Sequence, residues 1–190
     1  MPRGREERTP KKMKQAFLVF CEGPTEECYV QELRQRYRSP IRIVPICEGQ
    51  SISNALVCRE IKKEKVSPTD RIQAFLMYAR DVPEVNVKMD KCDGTMVCSN
   101  PCVELWFLLH SRDQKASLGS EECIKALQNS ASEWNHYRKG ELSATQKNLL
   151  WSNRSTAIQR AKSLTESRNP STGVYKLLES IEKSLSETQN

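Results

Sequence analysis

Three acidic residues occupy positions at which the chain could build a site for a divalent cation. Glu22 directly follows the apolar run at residues 16–21, and Asp81 follows a second apolar run, residues 72–78, by three positions. Glu26 lies about one helical turn beyond Glu22. In open α/β sheets, functional groups gather beyond the carboxyl ends of the strands. Carboxylates brought together there repel one another unless a cation or basic groups compensate their charge.

Mg²⁺ is the natural ion for such a site, because a hard cation prefers oxygen ligands and often takes only one or two carboxylates together with waters and substrate phosphates. A cation bound there would activate a water molecule and offset the charge that develops on a phosphate. The alternative is that Glu22 and Glu26 only favour the N-terminus of a helix, an effect worth about 0.3 to 1 kcal/mol. Spacing alone leaves both interpretations open.

A further acidic residue, Glu104, lies inside the most apolar helix that the sequence predicts, residues 102–110. A buried carboxylate is costly without a partner, so Glu104 would either help to hold the same cation or pair with an arginine. His110 ends this helix, where a cation is favoured in any case, and is a weaker candidate for catalysis. The arginines that could pair with Glu104 are Arg80, Arg154 and Arg160.

Apolar runs and turn residues indicate the elements that must position these groups. Residues 16–21, 41–46 and 72–78 have the near-continuous apolar composition of strands covered on both faces, and residues 95–98 could add a short fourth strand. Thr25 is predicted to cap the helix that follows the first strand. Repeated strand-turn-helix steps predict an α/β fold with a mainly parallel sheet flanked by helices.

The chain has 190 residues, which suits a single globular unit. We divide it into a basic arm at residues 1–15, an α/β core at 16–110 and a helical C-terminal half at 111–190 that packs on the core. The proline at residue 101 is predicted to lie in the first turn of the core's last helix. Apolar residues recur at helical spacing in three later segments, at residues 120–130, 155–165 and 172–185.

Basic residues exceed acidic ones by six, and residues 1–14 carry a net charge of +4, from six basic and two acidic side chains. This arm is either a solvated leader or a tether that neutralises phosphates. Because no apolar run approaches the ~18 residues of a membrane span, and the arm lacks the apolar stretch of a secretory signal, we expect a cytoplasmic protein without membrane contact. The eight cysteines form no C-x-x-C pair, and most are expected to pack as reduced thiols.

Basic residues of the helical half are candidates for binding nucleic acid, because together they could form the positive wall of a groove. The alternative for each of them is a solvated helix face. The three tryptophans are interpreted as core anchors rather than as platforms for stacking bases. The candidate nucleic-acid-binding residues are Arg138, Lys139, Arg154, Arg160 and Lys162.

Five motifs occur in one order across nearly the whole chain. They are Cys21-Glu22-Gly23-Pro24-Thr25-Glu26, Ser99-Asn100-Pro101-Cys102-Val103-Glu104-Leu105-Trp106 with Leu108-Leu109-His110, Tyr137-Arg138-Lys139-Gly140, Ala157-Ile158-Gln159-Arg160-Ala161-Lys162 and Asn169-Pro170-Ser171-Thr172. Together these motifs resemble the RloB family. The resemblance implies a Toprim-like core, the metal-dependent, phosphodiester-handling fold shared with topoisomerases, primases and OLD-type nucleases. It also implies a role in bacterial or archaeal defence against phage, often beside a partner ATPase.

The chain departs from the Toprim pattern at one position. That pattern has a Glu after the first strand, which Glu22 matches, and an Asp-x-Asp after a later one, where this chain reads Ala79-Arg80-Asp81. The missing carboxylate would leave Mg²⁺ or Mn²⁺ bound more weakly or misplaced. Either this member has lost activity naturally, or a substitution was introduced to silence a toxic enzyme. A third explanation is that Asp90 or Asp93 supplies the ligand instead.

The leading expectation is a Mg²⁺- or Mn²⁺-dependent nuclease of an antiphage system that cuts RNA or DNA. Glu22, Asp81 and Glu26 or Glu104 would surround the ion, and Ala79 would weaken or abolish activity. The alternative is a non-catalytic subunit of a defence complex that binds nucleic acid or protein. A small-molecule phosphotransferase ranks third, since the chain lacks a phosphate-binding P-loop. The sequence leaves open the target, the trigger and whether the protein forms a homo-oligomer.

Overall fold

The computed structural model describes residues 15–38, 42–47, 51–65, 67–80 and 83–189. Two of the predictions concern residues that the structure does not describe. The basic arm at residues 1–14 and the proposed metal ligand Asp81 both lie outside the described residues.

A parallel sheet forms the centre of the described fold, as predicted. Its strands are β1 (Gln15–Cys21), β2 (Arg42–Cys47), β3 (Arg71–Met77) and β4 (Thr95–Met96), in the order β2-β1-β3-β4. Cys21 of β1 lies opposite Met77 of β3, so these two strands end at the same edge of the sheet. The first apolar run forms a strand that is covered on both faces, and its residues 16–21 are buried.

A small antiparallel pair connects the helical half to the core. It consists of β5 (Ser99–Asn100) and β6 (Ser171–Thr172), and the Ser99 and Thr172 hydroxyl oxygens lie 2.8 Å apart. Ser99 also donates its N–H to the carbonyl of Tyr78, just beyond β3. The helical half is therefore joined to the edge at which β3 ends.

Helices flank the sheet and make up most of the C-terminal half. The predicted core helix at 102–110 begins at Glu104 instead, so the proline at residue 101 precedes the helix and does not lie in its first turn. No helix in the described part of the chain has both the length and the apolar composition needed to cross a membrane. The helices are α1 (Pro24–Tyr37), α2 (Asn54–Glu64), α3 (Pro83–Met89), α4 (Glu104–Ser111), α5 (Ser120–Gln128), α6 (Ala144–Ser152), α7 (Arg154–Lys162) and α8 (Tyr175–Gln189).

Alternate side chains of β1 supply two separate cores, one on each face of the sheet. Leu18 and Phe20 pack with residues of α2 and α3. The opposite face packs with α1, α4 and the helical half, and includes Trp106 and Trp134, both fully buried. These two tryptophans are core anchors, as predicted, whereas Trp151 is only partly buried. Cysteines contribute to both cores, and no disulfide joins those whose side chains are described.

Candidate active site

The candidate site is built around Glu22, at the edge where β1 and β3 end. The Glu22 N–H donates to the carbonyl oxygen of Met77 at 3.2 Å, which continues the pairing of the two strands. The N–H of Ala79 donates in turn to Glu22 Oε2 at 2.7 Å. The Glu22 carboxylate therefore lies against the backbone of residue 79, the position at which the Toprim pattern has its first Asp.

The turn after β1 differs from the prediction in how its helix is capped. Helix α1 begins at Pro24, its N-cap residue is Gly23, and no side chain provides a capping hydrogen bond. The prediction that Thr25 caps the helix was wrong, because proline is favoured in a first turn and starts the helix before residue 25. The Thr25 hydroxyl instead accepts a hydrogen bond from the N–H of Gly140 at 2.9 Å.

Glu26 lies in the first turn of α1 and is only 7% exposed. Burial raises the pKa of its carboxyl from 4.5 to about 7, against the opposing effect of backbone hydrogen bonds. The negative charges of Glu22 and Glu104 raise this pKa further. The fold therefore brings three of the predicted acidic residues close enough to interact, and Glu26 gains or loses a proton near neutral pH.

Glu104 is 1% exposed and accepts a hydrogen bond from the Tyr137 hydroxyl at 2.9 Å. Burial, followed by the charge of Glu104, holds the pKa of Tyr137 far above its usual range, so this hydroxyl remains a donor. Sequence reasoning missed Tyr137 as the partner, although the residue belongs to one of the quoted motifs.

The arginines considered as partners for Glu104 make other contacts in the described structure. None of the three forms a salt bridge with Glu104 among the described residues, so they do not explain its burial. Arg80 lies 3.6 Å from Asp90, Arg154 lies 3.6 Å from Glu182, and Arg160 donates to the carbonyl oxygen of Leu109 at 2.6 Å.

A loop at residues 137–140 closes over the acidic edge. Tyr137 contacts Glu104, and Gly140 donates to Thr25. Gly140 has a φ of +80°, a backbone conformation that favours glycine, and a Cβ there would contact the ring of Pro24 at 3.4 Å. The loop carries the exposed side chains of two of the predicted nucleic-acid-binding residues, Arg138 and Lys139, next to the acidic edge.

The other predicted nucleic-acid-binding residues have contacts of their own. The guanidinium of Arg154 lies 4.2 Å from the ring centroid of Trp151. Arg160 is bound to the backbone of α4, as described above. Lys162 forms an ion pair with Glu179. These contacts account for part of the positive charge of α7, and the groove along it remains a prediction.

His110 is a buried residue of α4 rather than a member of the acidic edge. It is 2% exposed, and its Nδ1 lies 2.8 Å from the carbonyl oxygen of Trp106. Burial lowers the pKa of His110 to about 4, so the ring is neutral near pH 7. These contacts indicate a packing role.

The two carboxylates considered as substitutes for residue 79 are bound elsewhere. Asp90 lies beside Arg80, and Asp93 accepts a hydrogen bond from the side-chain amide of Asn54 on α2. The backbone N–H of Asp93 donates to the same Asn54 side chain at 2.8 Å. These contacts therefore give no support to the third explanation for Ala79.

The carboxylate oxygens of the edge suit a hard cation, but they are fewer than the metal ligands expected from the Toprim pattern. Glu22, Glu26 and Glu104 offer carboxylate oxygens, and the described residues place no lysine or arginine against Glu26 or Glu104. Nevertheless, among the described residues no group of three or more His, Cys, Asp or Glu side chains is arranged to hold a metal ion. An edge with alanine at residue 79 lacks one ligand of the expected set.

Comparison with known proteins gives one match. A family model described as RloB-like protein matches residues 17–181, which is most of the chain and includes every acidic residue of the edge. No curated protein and no solved structure matches the chain.

Proposed function

We propose that this chain, which belongs to the RloB-like protein family, is a Toprim-type, Mg²⁺- or Mn²⁺-dependent nuclease whose activity is weakened or lost because residue 79 is alanine. One observation carries the proposal. The backbone N–H of Ala79 lies 2.7 Å from Glu22 Oε2, so an aspartate side chain at residue 79 would start beside that carboxylate. The position at which the chain departs from the Toprim pattern is therefore also the position that contacts the first acidic residue of the edge.

Glu22, Glu26 and Glu104 are the residues of the described edge that would hold the ion, and the family resemblance adds Asp81. Such an ion would supply an activated water and offset negative charge on the phosphate. The chain's own contribution is to orient these oxygens. Tyr137 fixes Glu104 through its hydroxyl, and the backbone of residue 79 fixes Glu22.

Phosphate binding is assigned to a further part of the edge. Arg138 and Lys139 would bind the phosphodiester backbone from the loop at residues 137–140, because both are exposed beside the edge.

Family membership supports the biological side of the proposal. We place the protein in prokaryotic defence against phage, in the cytoplasm, with RNA or DNA as substrate and an ATPase as a partner of the defence system.

A second candidate function is a non-catalytic subunit of a defence complex that binds nucleic acid or protein. Ala79 favours it, because alanine offers no ligand to a cation. Salt-sensitive binding of nucleic acid without cleavage by the wild-type chain or by a restored variant would support this candidate over the nuclease.

The direct test is to restore the missing carboxylate by the substitution Ala79→Asp. The variant should cleave labelled RNA or DNA in the presence of Mg²⁺ or Mn²⁺ at least about 100-fold faster than the wild type. Losing a direct metal ligand lowers activity at least as much as losing a residue that only orients a ligand. Ala79→Asn is the matched control, since it adds similar volume without the charge. The double variant Ala79→Asp with Glu22→Gln should be inactive.

A second readout separates metal binding from activity. Titration calorimetry should show tighter Mg²⁺ binding to Ala79→Asp than to Ala79→Asn. If Ala79→Asp folds, as judged by circular dichroism, but cleaves neither RNA nor DNA with either ion, the nuclease proposal is wrong.

A further inference from the structure

A second charged surface lies at the opposite end of α1 from the acidic edge. It is a cavity of about 470 Å³ between the end of α1 and α6, which we call the basic cavity. Its charged and aromatic lining is contributed by residues on both helices and by Arg38, which directly follows α1. The residues that matter here are Glu32, Arg36, Arg38, Lys147, Asn148 and Trp151.

The charges of the basic cavity do not cancel. Glu32 supplies one carboxylate, which lies 2.6 Å from Arg36 and 3.7 Å from Lys147 and is thus shared by two cations. Arg38 is exposed and forms no ion pair within the described residues. Three cations against one anion leave a net charge of +2 around a space open to solvent, and such a surface attracts an anion.

One of these cations is already oriented. The Nε of Arg36 donates to Glu32, and one of its terminal nitrogens donates to the side-chain oxygen of Asn148. Its guanidinium carbon lies 5.9 Å from the ring centroid of Trp151. These hydrogen bonds use two of the five N–H donors of an arginine, so donors remain for a ligand on a group whose position is fixed.

A purely structural role explains only part of this arrangement. Cations near the C-terminus of a helix stabilise it, and Arg36 lies in the last turn of α1. Arg38 lies beyond the end of α1 in the left-handed region, with a φ of 38°, and Lys147 is on a different helix. The dipole of α1 also favours Arg38, which directly follows the helix, but it does not account for the position of Lys147.

We propose that the basic cavity binds the phosphodiester backbone of the nucleic acid whose scissile phosphate lies at the acidic edge. This inference rests on the proposed function. Glu26 and Arg36 are ten residues apart on α1, which corresponds to about 15 Å along the helix axis. That length matches about four to five base pairs of duplex at 3.4 Å each, so one nucleic acid can reach both places.

The experiment measures binding of a fluorescein-labelled RNA hairpin, and of a DNA hairpin of equivalent sequence, by fluorescence anisotropy over a range of salt concentrations. The test protein is the full chain with Arg38→Ala and Lys147→Ala. The matched control carries Lys63→Ala and Lys115→Ala, which removes the same charge from exposed residues elsewhere. Neither pair includes a residue of the acidic edge.

The double cavity variant should bind about tenfold more weakly than the control. The slope of log K against log salt should fall by about 2, because each side chain that neutralises a phosphate contributes about 1 to that slope. Replacing the same two residues by Lys and Arg, respectively, should restore binding, because the charges are kept. If the cavity variant binds as tightly as the control with the same slope, the cavity does not bind the backbone.

The outcomes separate this inference from the proposed nuclease. Loss of binding in the cavity variant, together with no cleavage by Ala79→Asp, would retain the backbone site and refute the enzyme. Cleavage by Ala79→Asp with unchanged binding in the cavity variant would support the nuclease and refute the backbone site in the basic cavity. If the wild type and Ala79→Asp bind neither hairpin, the inference is refuted.

Discussion

The two ends of α1 carry opposite charges in very different surroundings. At its N-terminal end, Glu26 and Glu104 are 7% and 1% exposed, and the described residues give neither a cationic partner. At its C-terminal end, the side chains of Arg36 and Lys147 are 32% and 30% exposed, and both lie beside Glu32. The same helix therefore has buried, mutually repelling carboxylates at one end and partly exposed cations that share a single carboxylate at the other.

This difference shows which end of α1 lowers the stability of the fold. Burying a carboxylate beside other carboxylates raises its pKa and opposes folding at neutral pH, whereas partly exposed ion pairs cost little and contribute little. A chain that retains an unfavourable cluster at one end of a helix shows the pattern expected when stability is traded for activity. The acidic end is thus the better candidate for chemistry, and the basic end for binding.

The largest effect on stability is expected from Glu26→Gln. The pKa of Glu26 is about 7 in the folded chain and 4.5 ordinarily, so the bound proton stabilises the fold fully below pH 4.5 and this contribution is lost as the pH rises through about 7. Because glutamine mimics the protonated form, the variant should be more stable at about pH 8, by up to about 3 kcal/mol. Urea unfolding at about pH 4 and pH 8 measures the difference, which should vanish at the lower pH.

Glu32→Gln is the counterpart at the basic end and should have the opposite sign. It removes the carboxylate shared by Arg36 and Lys147, and should therefore lower stability at about pH 8 by about 1 kcal/mol. If Glu26→Gln also lowers stability at that pH, the contrast between the two ends is wrong.

An intermediate effect is expected from removing one hydroxyl at each end. Tyr137→Phe removes the hydroxyl donor to the buried Glu104 and should cost about 1 to 3 kcal/mol. Tyr37→Phe removes an exposed hydrogen bond to Glu182 and should cost less than about 1 kcal/mol. Thermal unfolding of the two variants compares the same chemical change in two settings, and equal losses would show that burial does not distinguish them.

The smallest effect is expected from Lys147→Ala. Its ion pair with Glu32 is long, at 3.7 Å, and partly exposed, so the variant should lose less than about 1 kcal/mol of unfolding free energy. Urea unfolding checks this. A loss of several kcal/mol would instead make the residue part of the structural framework, contrary to the exposed setting described for the basic end.

The strands and the position of Glu22 could be predicted because their signals are local. The near-continuous apolar run of β1 marks a strand buried on both faces, and a residue that directly follows it must lie at the edge of the sheet. Helices α3 and α6 were not predicted, because their apolar residues do not recur at helical spacing: they alternate in α3 and are consecutive in α6. Their pattern is set by packing against the rest of the fold, and buried positions are limited to Val85 and Met89 in α3, and Gln146 and Leu150 in α6.

The contacts that complete the acidic edge could not be derived from spacing. Tyr137 and Glu104 are 33 residues apart, and Gly140 and Thr25 are 115 apart. Resemblance to the family directed attention to the motif at residues 137–140 but did not say what it contacts. The interaction of Trp151 with two arginines likewise depends on how α1 meets α6 and α7.

The closing of residues 137–140 over the turn after β1 also has a consequence for synthesis. A ribosome makes the chain from its N-terminus, so Glu22, Glu26 and Glu104 have all emerged before the tyrosine and glycine that secure their surroundings. A nascent chain that ends before residue 137 contains the acidic residues but not the loop at residues 137–140 that contacts their surroundings. The edge thus takes its described form only after residue 140 has been translated.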